Sequence, residues 1–369
     1  LADQTDIVMS TREISATERK LAREAGMGDL TQLGRARVLA LDALVAIVSN
    51  QNPVEAISVL ELSEIYSGKL KNWKELGPQE AAITPYLRDI ETGSGAVALQ
   101  RLLLKENQTS GSETRFSTDN FDLSQRVSID PFGIGLVGRS ATLDTKILTL
   151  TGPCGRSLRP TRHNVKTEDY HLTTPLFLYL PARRLPKIMR EFLSYTRSPA
   201  AQLVIRRAGF VDQAPEEISI DFQGDRLANA ISVTGQEITL ETTRSMIDTL
   251  RKMRRLTTSF RFETGSVRLD AQSRSNVEQL ASALEAGMYD GKSLVFIGFS
   301  DGEGAAAANL EISRRRAEVV KNAIEKAAET ADFTQLDVSV QAYGEAMPMA
   351  CDDTEWGRQV NRRVEVWIR

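Results

Sequence analysis

Apolar and polar positions change rhythm several times along this chain, and the rhythm predicts alternating strands and helices. Val38-Leu39-Ala40-Leu41 and Leu44-Val45-Ala46-Ile47-Val48 are apolar runs of strand length, and Asn50-Gln51-Asn52-Pro53 after them reads as a turn. Ser58 then caps a helix running to Tyr66, with Glu61 completing a capping box and Ser67-Gly68-Lys69 ending it. A strand around Ile83 to Leu87, a polar loop from Arg88 to Ser94 and a helix from Gly95 to Lys105 form a second unit. Leu176-Phe177-Leu178-Tyr179-Leu180 is a buried strand ahead of a helix through Phe192. Over residues 1–211 this alternation predicts an α/β domain with largely parallel sheets.

Between 212 and 239 no period is sustained, so this segment reads as a linker. Residues 240–369 form a second unit, led by a helix from about Leu240 to Met253. Strands follow at Phe260-Arg261-Phe262, Leu294-Val295-Phe296-Ile297, Val338-Ser339-Val340 and Val364-Glu365-Val366-Trp367, with helical spacing at Val277, Leu280, Ala281 and Leu284 and again at Ala317, Val320, Ile324 and Ala327. The order predicts a small βαβαββ sandwich.

Composition narrows the function. Of 369 residues 41% are hydrophobic, and the longest apolar stretch, Val38 to Val48, is interrupted at Asp42 and falls short of the ~18 residues of a membrane span. Lys and Arg number 46 against 49 Asp and Glu, so no global field recruits nucleic acid or anionic lipid, and an anionic ligand must be caught locally. No basic and apolar leader precedes Leu1. The chain opens on a strand approach, Thr5-Asp6-Ile7-Val8-Met9, from which any export signal is expected to have been removed. Cys154 and Cys351 lack zinc-site spacing and are either two thiols or one long-range disulfide. His163 and His171 are expected in exposed loops, no catalytic triad can be built on them, and Tyr66, Trp73 and Phe132 are expected in the core. Neither an enzyme, a metal nor a cofactor is expected.

Two constellations carry chemistry. The strand ending at Ile297 runs into Gly298-Phe299-Ser300-Asp301, and the next helix carries Asn309 and Ser313-Arg314-Arg315-Arg316-Ala317. Asp301 and Arg316 facing one cleft would recognise a zwitterion, the carboxylate taking an ammonium and the guanidinium a carboxylate. Isolated, the pair would more simply be a turn cap and a solvated helix face. With Tyr343-Gly344-Glu345 and Asn361-Arg362-Arg363-Val364, however, the set closely resembles the OmpA-like peptidoglycan-binding domain, from about Ser259 to Arg369. That resemblance implies that Asp301 and Arg316 clamp the diaminopimelate of a cell-wall stem peptide, with Asn309 beside them and Arg362 or Arg363 bracing the cleft. Phe299-Ser300 stands where His-Thr is common.

The second constellation is Arg88-Asp89-Ile90-Glu91-Thr92-Gly93-Ser94-Gly95. Hydroxyls, glycine-exposed N–H groups and a helix start make it either an oxyanion cradle or a capped helix. With Asp6-Ile7-Val8-Met9-Ser10-Thr11-Arg12, Asn52-Pro53, Ile65-Tyr66-Ser67-Gly68-Lys69 and Gly133-Ile134-Gly135-Leu136-Val137, it resembles the phosphate-binding proteins of ABC importers, over about Leu1 to Val211. The resemblance implies a two-lobed fold of the periplasmic-binding-protein type and an oxyanion held by Ser10, Thr11, Arg88, Thr92, Gly93 and Ser94. Thr11 stands where the family uses Asp or Ser, which weakens discrimination between phosphate and a fully deprotonated oxyanion. Family members carry further ligand loops ahead of the Asp6 to Arg12 turn, so the chain is expected to be truncated or the lobe incomplete.

Together these imply a periplasmic binding protein for phosphate or a related oxyanion, associated with the cell wall and served by an inner-membrane ABC permease. The competing expectation is an envelope anchor or sensor whose first domain binds protein and has no transport role.

Overall fold

In the computed structural model the described residues are 5–89, 111–152, 157–170, 172–235, 237–263, 265–352 and 355–369. The expected loop and helix from Ile90 to Lys105, with Thr92, Gly93 and Ser94, lie outside them, as do Cys154 and His171.

The N-terminal domain is built on a 13-residue strand, β2 (Ala36–Val48), preceded by β1 (Val8–Ser10) and helix α1 (Ala16–Glu24). The two apolar runs are thus one strand. Asp42 does not break it, because its carboxylate accepts the Ala43 N–H at 2.8 Å and the Ser140 hydroxyl at 2.7 Å. After β2 come β3 (Ala56–Ser58), α2 (Val59–Tyr66), β4 (Thr84–Arg88), β5 (Arg115–Ser117), α3 (Asn120–Ile129) and β6 (Gly133–Gly138). The capping box at Ser58 and Glu61 forms as expected, Ser58 accepting the Glu61 N–H and Glu61 the Ser58 N–H. Then follow β7 (Lys146–Ile147), β8 (Thr149–Thr151), β9 (Ser157–Leu158), α4 (Arg162–Lys166), β10 (Thr173–Tyr179), α5 (Lys187–Tyr195) and α6 (Pro199–Arg207).

The main sheet has the order β1-β10-β2-β6-β4-β5, with β7 also on β2, while β3, β8 and β9 form a second sheet. The sheets are mixed and not largely parallel: β10 and β6 both run antiparallel to β2, and only β4 with β5 and β6, and β3 with β8, pair parallel. The core gathers on β2, where Val45 to Val48 are fully buried beside Leu62, Trp73, Leu123 and Ile134. Tyr66 and Trp73 are core residues as expected, whereas the Phe132 side chain is exposed and its carbonyl accepts from the Trp73 indole and the Thr84 N–H. His163 belongs to α4 and not to a loop; its ring meets Phe222 edge-on and lies 3.5 Å from Glu216.

The segment expected to be a linker is ordered. It holds β11 (Glu217–Ile218) and α7 (Gly224–Ser232), and both join the second domain: β11 pairs with β12 (Arg254–Arg261), and Ala230 packs under Met246, Phe299 and Trp367. A weakly periodic segment folds here because partners distant in sequence bury it. The expected leading helix, α8 (Leu240–Leu250), precedes β12. Next come α9 (Ala271–Glu285), β13 (Ser293–Phe299), α10 (Ala306–Ala327), β14 (Asp337–Ala342), α11 (Glu355–Asn361) and β15 (Arg363–Ile368), so the expected βαβαββ order gains a short helix, α11, between its last two strands, in a sheet β11-β12-β15-β13-β14.

The two domains share a buried seam. The Val38 N–H of β2 donates to Ser275 Oγ of α9 at 3.0 Å, and Arg261 donates to the Glu168 carbonyl at 2.8 Å. Between them Arg255 grips Asp169 in two bonds of 2.5 and 3.0 Å, and Glu365 binds Arg255, Arg226 and Arg363. All five side chains are buried. Burial alone would raise both carboxyl pKa values, but the guanidiniums outweigh it, holding Asp169 far below the usual carboxylate range and Glu365 at about 2.

Candidate functional site

In the C-terminal domain, packing creates a cleft. Gly298 lets α10 press onto β13, since a Cβ there would stand 1.9 Å from the Ser313 carbonyl oxygen. This close approach carries Arg316, one turn on, toward Asp301, two residues beyond the end of β13. Gly344 adopts φ +55°, and its N–H donates to Ser313 Oγ at 3.2 Å, closing the loop over α10.

Asp301 and Arg316 do not bond each other, but the Asp301 charge acts on the Arg316 guanidinium. Asp301 Oδ2 accepts from Arg362 at 2.7 Å, and Arg362 also holds Glu355. Arg316 lies over the Phe262 ring, 5.3 Å from its centroid, and its only hydrogen bond among the described residues is a long one of 3.4 Å to the Ser266 carbonyl. Its buried Nε–H has no acceptor there. Burial, with the neighbouring charge of Arg362, lowers its pKa to about 10. Asn309 is buried and donates to Glu345 at 2.6 Å. Asp301 thus supplies a hydrogen-bond acceptor just beyond β13, and Arg316 a donor on α10 left unsatisfied among the described residues.

Sequence reasoning missed Glu355, named Glu345 only within the Tyr343-Gly344-Glu345 motif and Phe262 only as part of a strand, and expected Arg362 only as one of two possible braces. The Asn361-Arg362-Arg363 run divides its work by residue. Asn361 accepts the Met349 and Ala350 N–H groups, Arg362 steadies Asp301, and Arg363 donates to the Met347 carbonyl at 2.9 Å while stacking on Phe299.

In the N-terminal domain the expected oxyanion residues fall on two rims. Ser10, closing β1, pairs across β10 with the Val38 level of β2, while Tyr86 of β4 stands, through Gly135, at the Ile47 level. β1 and β4 run in opposite senses, and both end facing the middle of β2. The C-terminal ends of strands at such a reversal are where α/β sheets bind ligands. Ser10 and Thr11 occupy one rim. The Ser10 hydroxyl donates to the Arg12 carbonyl at 2.8 Å, and Arg12 is pinned to Glu18 by two 2.7 Å bonds. Arg88 ends β4 on the other rim, in register with Ser117, whose buried hydroxyl has no partner among the described residues.

This is a mixed α/β domain followed by a second α/β domain on a five-stranded sheet. A family model described as PBP superfamily domain matches residues 1–200, and one described as OmpA family matches residues 261–362. The chain belongs to the PBP superfamily and carries an OmpA domain behind that module. Among curated relatives, the phosphate-binding protein PstS of Borreliella burgdorferi is 24% identical over 205 residues, covering 54% of this chain and 72% of that protein. Protein SphX of Synechococcus elongatus is 28% identical over 219 residues, 56% of this chain and 63% of its own length. Among solved structures, a putative phosphate ABC transporter substrate-binding protein from Clostridium perfringens with bound phosphate aligns at TM-score 0.48 and 20% identity, over 56% of this chain and 79% of that one. Among the described residues no helix is long and apolar enough to cross a membrane.

Proposed function

We propose that this protein is a periplasmic oxyanion-binding protein moored to peptidoglycan through its C-terminal cleft. The observation that supports the mooring is Arg316, whose buried Nε–H has no acceptor among the described residues and whose charge interacts with that of the buried Asp301 carboxylate. A relative named as a phosphate-binding protein, together with strand ends converging on β2, supports the oxyanion reading. In it Ser10 and Thr11 meet the anion from one rim and Arg88, Thr92, Gly93 and Ser94 from the other, and an inner-membrane ABC permease receives it. Titration calorimetry with phosphate tests the first domain. Micromolar or tighter binding supports transport, and silence favours the envelope anchor or sensor.

Arg88 is the only cation in the proposed set, and charge-assisted bonds are about twice as strong as neutral ones. Arg88→Ala is therefore expected to lose more phosphate affinity than Ser94→Ala, by about 1 kcal/mol or more. Equal losses by calorimetry would reduce the segment to a capped helix start.

Cys351 is disulfide-bonded. Its proposed partner is Cys154, the only other cysteine of the sequence, which would tie the two domains covalently in an oxidising compartment. Thiol titration of the unreduced, denatured protein should find none, and two thiols would end this pairing.

A further inference from the structure

Between the domains runs a groove of about 1300 Å³, with α1 and the start of β2 on one wall and α9 and α10 on the other. Its lining holds eight basic side chains against four acidic ones, in a chain whose net charge is −3. Several of the cations are paired, Arg197 to Glu278 and Arg268 to Glu263 among them. Arg19, Arg37 and Lys326 have no carboxylate partner among the described residues. Arg37 is half-buried, and its buried Nε–H has no acceptor. Burial and the nearby charge of Arg197 lower its pKa against the opposing pull of Glu278, which is itself committed to Arg197. An orphaned donor beside a second guanidinium calls for an anion.

The floor of the groove continues from the C-terminal cleft. Arg316, Val319, Ala323 and Lys326 share one face of α10, so the floor begins one turn beyond Arg316 and reaches Lys326 ~15 Å away. Arg268, also lining the groove, follows closely on Ser266, whose carbonyl touches Arg316. A distance of ~15 Å is that of four or five extended peptide residues.

We propose that this groove is a second subsite for the wall polymer, taking a carboxylate of a stem peptide cross-linked to the one held at Asp301 and Arg316. The proposal rests on the peptidoglycan reading of that cleft. The peptide crosses the apolar floor of α10, and its carboxylate ends among the groove cations Lys326, Arg37 and Arg19. No covalent step is involved.

Calorimetry with free diaminopimelate and with soluble cross-linked muropeptide dimers tests it, on the full chain, with a double Arg19→Ala, Arg37→Ala variant and a separate Lys326→Glu variant whose exposed site leaves the core intact. Both variants should bind diaminopimelate like the wild type. The double variant should lose about tenfold in affinity for the dimer and Lys326→Glu a few-fold, because two or one favourable charge contacts are gone. Unchanged dimer affinity in both variants overturns the groove and leaves the cleft standing. If Asp301→Ala binds the dimer undiminished while the groove variants lose it, the cleft reading fails and the groove stands. If the groove variants lose only the binding of inorganic phosphate, the site serves free anions and the wall assignment is overturned.

Discussion

Asp301→Ala and Arg316→Ala should each release the protein from purified peptidoglycan. Either change leaves one pole of the zwitterion unmatched in a buried setting, which costs about 2 kcal/mol or more, close to thirtyfold in affinity. Co-sedimentation with sacculi reads the loss directly. Arg316→Lys should recover part of it, keeping the charge but losing the planar two-point grip. Arg362→Ala acts through Asp301, which it holds at 2.7 Å, so it should weaken retention less than Asp301→Ala does. Undiminished retention of the two alanine variants, with unchanged melting curves, would remove the wall-binding reading.

Breaking the buried seam should have the largest effect on stability. Arg255→Ala leaves Asp169 and part of Glu365 uncompensated in the interior, and removing one partner of a buried pair typically costs about 3–5 kcal/mol. Denaturant unfolding of the single and double variants at Arg255 and Asp169 checks this, and the double variant should cost less than the sum of the singles. The pH dependence follows from the same groups. Both carboxyls titrate lower in the folded chain than in the unfolded one, so their contribution is complete above the ordinary carboxylate range, about pH 4.5. It is lost as pH falls toward about 2, where folded Glu365 takes up its proton. Stability that stays flat from pH 5 to 2.5 would show that the seam does not hold the domains.

What the amino-acid pattern revealed was local. The helix at Val59 was legible because its cap and the answering Glu61 are three residues apart, whereas Asp301 and Arg316 could be named together only through the resemblance of the surrounding motifs to the OmpA-like domain. Strand sense was not legible, since the pairing of β2 with β10 and β6 joins residues some 90 to 140 positions apart. Asp42 looked like a break in an apolar run because the Ser140 that satisfies it lies 98 positions away. The order of residues 212–239 was hidden for the same reason: Arg226 suits an interior helix face only because Glu365, 139 positions on, meets it there. In the first domain Ser10 and Arg88 could be named from their local motifs, but their placement on opposite rims depends on the sheet order alone.

The ordering of 212–239 also sets the reach of the molecule. A flexible segment of that length would let one domain wander ~30 Å from the other, sweeping a wide search volume around its mooring point. With β11 woven into the second sheet and Val38 bonded to Ser275, that freedom is gone, and the first domain keeps one bearing toward the second. Under the proposed function, the rate of oxyanion capture would then depend on diffusion in the surrounding space and not on the swing of a tether.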